Sequence, residues 1–174
     1  TDVLYPLDHI RNVNRGRFEM GIFQVSAELK AAEHVLTSIK NGQDPFAGKT
    51  GDVERHYLLE GANEIMPYRV YVPKAYGSKT VYPLIIALHG LGATEDSFFD
   101  SYDKQIPKLA EEHGYIVAAP LGYRVDGFYG MTLFGNPQDA SVKRRAEYSE
   151  RDVMSVLALM RKNYRIDESR IYLM

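Results

Sequence analysis

Cysteine is missing from all 174 positions. Disulfide staples, Cys-ligated zinc and thiol catalysis are excluded together. The compartment stays open, because a secreted protein can do without disulfides. No apolar run approaches the roughly 20 residues of a membrane-spanning helix, and no signal peptide is visible. Charge of one sign is not in excess either. The formal net charge is -2 and the basic residues are dispersed, whereas a nucleic-acid binder would show a basic face. The single basic run, Lys143-Arg144-Arg145, reads as a solvated loop. The chain begins at Thr1 rather than Met, which fits removal of an upstream segment by a cell or in cloning, and a secreted or periplasmic location is the expectation favoured, not shown.

What is present suits one domain with a real core: 45% hydrophobic and 25% charged residues over this length. Phe18, Ile22, Val25, Leu29, Ala32, Leu36 and Ile39 alternate spacings of four and three, which predicts one amphipathic helix of about six turns. Asn41-Gly42 stops it. The same spacing admits a coiled-coil seam, and with it a homodimer. Packing of the stripe against its own domain is the preferred expectation. Residues 1–51 then form a helical extension and linker, and residues 52–174 a second unit.

From there the texture turns to strands. Residues 55–60 and 68–73 are joined by Gly61-Ala62-Asn63, which suits an antiparallel return. Residues 82–88, 115–119 and 170–174 are continuous apolar runs, as in a parallel sheet covered on both faces. Helical segments separate them. One carries Ile106, Leu109 and Ala110 and ends at His113-Gly114. The other carries Val153, Val156, Leu157, Met160 and Tyr164, with Ser149 and Asp152 spaced as a capping box. Alternating strands and helices predict an α/β fold with right-handed crossovers.

Ligands in such sheets bind beyond the carboxyl ends of the strands. The loop after residue 88 is His89-Gly90-Leu91-Gly92-Ala93. Its glycines leave backbone amides unshielded, and such amides can receive the oxyanion of an acyl-transfer intermediate. The loop after residue 119 brings Tyr123, Phe128 and Tyr129 among glycines. It reads equally as an aromatic pocket wall or as a well-packed surface loop. Phe98, Phe99 and Tyr102 read as core before pocket.

The segment LHGLGATEDSF after a buried strand resembles the oxyanion loop of α/β-hydrolases. PYRVYVP, HGYIVAAPLGY and SERDVMSVLALMRKNYRIDESRIYLM extend the resemblance over residues 68–174, toward bacterial esterases grouped with polyhydroxybutyrate depolymerases and feruloyl esterases. The resemblance implies a three-layer α/β-hydrolase fold, of which this chain carries strands one to five of a mostly parallel sheet. It implies a serine carboxylic-ester hydrolase acting through an acyl-enzyme, on a small or aromatic ester or a polyester, with no cofactor and no metal. Leu91 would give one oxyanion amide, with His89 and Gly90 completing the loop. Gly92, Tyr123, Phe128 and Tyr129 would meet the substrate. His89 also invites a general-base role, but a loop-ordering histidine is the preferred reading.

The family's G-x-S-x-G elbow occurs nowhere here. None of the nine serines has flanking glycines on a strand-to-helix turn. Serine, acid and histidine, with strands six to eight, are therefore expected from a further segment or a second polypeptide, and this chain alone is expected to be inactive. The rival expectation is a non-catalytic hydrolase-like binding or structural module.

Overall fold

Tyr82–Ile86 and Ile116–Pro120 carry no charged side chain, and that decides where they go: they become the adjacent central strands β3 and β4 of a five-stranded sheet. The computed structural model describes residues 1–19, 22–133 and 135–174. Besides β3 and β4, the sheet contains β1 (Gly51–Leu59), β2 (Glu64–Val72) and β5 (Ile166–Leu173). The strand order is β1-β2-β4-β3-β5. β1 and β2 form an antiparallel hairpin in which Val53 faces Val70. β2 runs antiparallel to β4, while β3 is parallel to both β4 and β5.

Two crossover helices make the outer layers. Helix α4 (Gln105–His113) joins β3 to β4 and α5 (Ala140–Asn163) joins β4 to β5. Val70, Leu84, Ile116, Val156 and Met160 pack between α5 and one face of the sheet. Tyr71, Ala87, Phe99, Ala110 and Val117 pack on the other face, beneath α4 and the short helix α3 (Ser97–Asp100). Each large apolar side chain buried this way contributes about 1.5–3 kcal/mol. The result is the expected three-layer α/β architecture.

Several expectations need correction. β1 begins at Gly51 and β5 at Ile166, both earlier than the apolar pattern suggested. The basic run 143–145 lies inside α5, not in a loop. That helix starts at Asp139, whose carboxylate accepts from the Ser141 amide. Ser149 and Asp152 therefore sit mid-helix and are fully buried, so neither is a cap. β5 is not sealed on both faces, since Tyr172 and Leu173 are exposed along the sheet edge.

The amino-terminal part departs furthest. Two helices replace the single one expected over 18–39: α1 (Tyr5–Asn14) and α2 (Val25–Lys40). Met20 and Gly21 of the expected helix lie outside the described residues. Phe18 and Ile22 are not helical. Of the seven-residue apolar stripe only Ala32 is buried; Ile22, Leu29 and Ile39 are 85%, 50% and 55% exposed. The stripe does not pack on its own domain. Instead α1 turns Tyr5, His9 and Asn12 inward and leaves Leu4, Leu7, Ile10 and Val13 outside. Among the described residues, no helix is long and apolar enough to cross a membrane.

Candidate active site

The loop leaving β3 starts in the sheet's own ladder. The Ala87 amide donates to the Ala118 carbonyl and the Leu88 amide to the Met174 carbonyl, both at 2.8 Å. His89 follows and is buried. Its Nδ1 lies 2.8 Å from the Gly90 carbonyl and its Nε2 2.7 Å from the Leu121 carbonyl. The ring therefore stitches the loop after β3 to the loop after β4. Gly92 does the same through its backbone, with its amide donating to the Val125 carbonyl at 2.9 Å. Gly92 also has φ +79°, where a side chain would be strained. Leu91 stands between these anchors with its side chain 63% exposed. Among the described residues, its amide has no protein acceptor.

The loop after β4 holds Tyr123, Phe128 and Tyr129 in left-handed backbone at φ +68°, +55° and +49°. Non-glycine residues persist there only when their surroundings force them. Helix α5 supplies the forcing groups. Ser149 Oγ accepts from the Tyr129 amide at 2.8 Å, and Asp152 Oδ2 accepts from the Tyr123 amide at 2.7 Å. Asp152 also accepts from the Tyr57 hydroxyl of β1. Gly127 passes so close that a Cβ there would collide with the Gly122 carbonyl and Ser149 Oγ. Burial pushes the Asp152 carboxyl up to about 6, although Tyr57 and the backbone amides oppose this by donating to it.

The structure brings some of the expected site residues together and separates others. Tyr129 lies against His89, with ring centroids 5.7 Å apart and its hydroxyl donating to the His89 carbonyl at 3.2 Å. Tyr123 turns away: its ring meets Tyr148 and the Arg124 guanidinium, and its hydroxyl donates to Glu64. Phe128 is half-buried. Phe99 is core, Phe98 is partly buried beside it, and Tyr102 is exposed.

Sequence reasoning missed Ser149 and Asp152 as supports. One signal was available. Positions 149, 152, 156 and 160 share a helix face, and two polar residues on a buried face need buried partners. It also missed Glu95, two residues past the loop. Glu95 is 6% exposed, its Oε2 has no hydrogen-bond partner among the described residues, and burial pushes its carboxyl up to about 8. Its neighbour Asp96 is held by Arg69, which also grips Asp52 and Asp100 and so ties β2 to the segment after the loop. Glu95 lines a cavity of about 320 Å³, walled on one side by Tyr5 and Phe23 and on the other by Leu121 and Val125.

No protein-family model matches the chain, and no curated protein sequence matches it either. Solved structures do. An S-formylglutathione hydrolase from Agrobacterium tumefaciens is similar with a TM-score of 0.56 at 19% identity, over 70% of this chain and 47% of that one. A CE1 ferulic acid esterase from the anaerobic fungus Anaeromyces mucronatus is similar with a TM-score of 0.52 at 20% identity, over 73% and 50%. A fluorophosphonate-binding serine hydrolase from Staphylococcus aureus gives 0.52 at 16% identity, over 72% and 47%. The chain spans about half the length of these structures. Identities this low carry architecture and nothing finer, and on that footing the chain has the α/β-hydrolase fold.

Proposed function

We propose that the chain supplies the oxyanion loop and part of the substrate pocket of a serine-type carboxylic-ester hydrolase that works through an acyl-enzyme. The observation that carries this reading is the Leu91 amide: it has no protein acceptor among the described residues and sits just beyond the carboxyl end of a central parallel strand. An N–H held there by its neighbours is pre-aimed at a developing negative charge. When a serine hydroxyl attacks an ester carbonyl, the carbonyl oxygen takes that charge, and the Leu91 amide donates to it. His89, Gly90 and Gly92 hold the amide in place. Phe128, Tyr129 and Gly92 offer a wall for the acyl or aryl group. Tyr123 contributes through its backbone, since its ring faces Tyr148.

The nucleophile is not among the nine serines of this sequence. Ser149, which supports the loop after β4, is buried in α5 with its oxygen engaged by Tyr129. Serine, acid and histidine come from further residues, in the same polypeptide or a second one, and the 174 residues alone are expected to be inactive. A ferulic acid esterase among the similar structures makes an aromatic ester the first substrate class to try, ahead of small esters and polyesters.

The test uses the complete protein and p-nitrophenyl acetate, with and without a serine-directed phosphonate. Leu91→Pro removes the N–H and is expected to lower kcat by about 10²–10³. Leu91→Ala keeps the N–H and is expected to stay near the parent rate. Equal rates for the two variants would remove Leu91 from the mechanism. Absence of any phosphonate-sensitive turnover would replace the enzyme with a non-catalytic module.

A further inference from the structure

A second cluster of chemical groups lies where the amino-terminal helices meet β1, and the ester-hydrolase reading does not use it. Glu28 of α2 and Glu54 and His56 of β1 each turn a ligand-type atom toward one point, all within 4.8 Å of one another. We propose that these three residues bind a divalent transition-metal cation of the zinc class and thereby clamp α2 to the sheet.

The imidazole is the first argument. The His56 side chain is 8% exposed. Its ring stacks on Tyr5 at a 3.9 Å centroid distance. Its Nδ1 faces Asp2 Oδ1 at 3.3 Å, and its backbone amide donates to the same oxygen at 2.9 Å. The ring is thus fixed with Nδ1 toward a carboxylate, which leaves Nε2 to face the cluster. Nε2 is buried, makes no hydrogen bond among the described residues, and has Glu54 Oε1 at 3.6 Å. A histidine ligand held from behind by a carboxylate is the arrangement that orients imidazoles on metals.

The second argument is uncompensated charge. Among the described residues, Glu28 makes no ion pair, and the sole ion pair of Glu54 is with His56 at 3.6 Å. Nearby Arg55 is drawn off to Asp2 and to the face of Phe46. The Glu95 carboxyl, with its unpartnered oxygen, lines the same cavity as Glu28 and Glu54. Carboxylates converging without a cation are costly, and a bound divalent ion relieves the cost.

Geometry and chemistry select the ion. Zinc bonds of about 2.1 Å set the ligand atoms about 3.4 Å apart on a tetrahedron. The His56–Glu54 separation of 3.6 Å is already near that spacing, and with all three ligand atoms within 4.8 Å of one another, closing the triangle to Glu28 needs a shift of at most about 1.4 Å. One nitrogen and two carboxylates suit zinc and its neighbours better than calcium or magnesium, which take more oxygen ligands. Glu54 is 45% exposed on its side chain, so water can reach the fourth position.

The experiment is calorimetric titration of the complete, chelator-treated protein with Zn²⁺ at pH 7.5, alongside Co²⁺ absorption spectra. One saturable Zn²⁺ site per chain and the visible bands of tetrahedral Co²⁺ are expected, with no comparable response to Mg²⁺. Glu54→Gln and His56→Gln are expected to weaken Zn²⁺ binding at least 100-fold, and Asp2→Asn by about 10–100-fold. Glu28→Gln keeps the shape and removes a like charge, so it should fold at least as well while losing affinity. The proposal is overturned by no saturable binding to the unmodified protein, or by an affinity unchanged in a folded Glu28→Gln or His56→Gln variant. It is equally overturned if binding disappears on replacing the exposed His34 instead.

Discussion

The sheet and the amino-terminal extension bury opposite kinds of surface. In the sheet and its covering helix α5, Val70, Val72, Leu84, Ile116, Val156 and Met160 are completely inside. In the extension, α1 buries Tyr5, His9 and Asn12 while Leu7 is 58% exposed, and α2 buries Ala32 while Leu29 is 50% exposed. The extension is attached by polar ties. Thr1 Oγ1 donates to the His56 carbonyl, Asp2 accepts from the His56 amide, and Asp8 accepts from the Ile65 amide. Apolar burial drives the sheet together, whereas hydrogen bonds at about 1 kcal/mol each position the extension. An amphipathic stripe in a sequence therefore locates a helix without saying which face the fold covers.

The largest expected effect tests that contrast directly. Leu84→Ala or Met160→Ala should cost about 2–5 kcal/mol in urea unfolding, from lost transfer energy plus the cavity left behind. Leu29→Ala or Ile39→Ala should stay within about 0.5 kcal/mol. Comparable losses at the two places would mean that α2 covers an apolar surface in the folded protein after all.

The same contrast explains what the sequence disclosed. β3 and β4 were legible because residues 82–86 and 116–120 are apolar on both faces, a pattern with few other homes. β1 began earlier than expected because Asp52 and Glu54 interrupt the apolar pattern, although the backbone pairing to β2 continues through them. Helix α1 was invisible because its inward residues are polar or aromatic and find polar partners only in the folded chain. The His89–Gly92 loop was legible as a motif. Its supports were not. Ser149 and Asp152 fit a capping box by spacing alone; the helix in fact starts at Asp139, and the partner of the buried Asp152 carboxylate is a Tyr57 hydroxyl 95 residues away. Glu28, Glu54 and His56 escaped for the same reason, since they are gathered only when α2 meets β1 in the folded chain.

Buried acids give the next effect in size. Burial raises Asp152 to about 6 from an ordinary 3.8. Between about pH 4 and 6 the folded chain holds a proton there that the unfolded chain has released. The unfolded state binds fewer protons, so stability falls as pH rises through this window, by about 3 kcal/mol. Glu95, raised to about 8, extends the fall toward pH 8. Urea midpoints measured from pH 4 to 9 should show Asp152→Asn with a shallower slope between about pH 4 and 6, where Glu95 still contributes, and an unchanged slope above. Glu95→Gln should flatten the upper part. Unchanged slopes in both variants would place these carboxyls in contact with solvent.

The smallest expected effect is the sharpest on how the two regions are joined. Asp8 Oδ2 accepts from the Ile65 amide at 2.8 Å and from Asn12 at 3.0 Å. Asp8→Ala should lower global stability by only about 1 kcal/mol. Its local effect should be larger. The Ile65 amide is the donor that α1 takes from β2, so hydrogen exchange there should quicken at least tenfold. The amides of Val70 and Val72, deeper in β2, should hold their protection. Elements secured by polar ties open separately from a packed core. If all three amides lose protection in proportion, extension and sheet unfold as one unit, and the polar ties are as strong a joint as the apolar core.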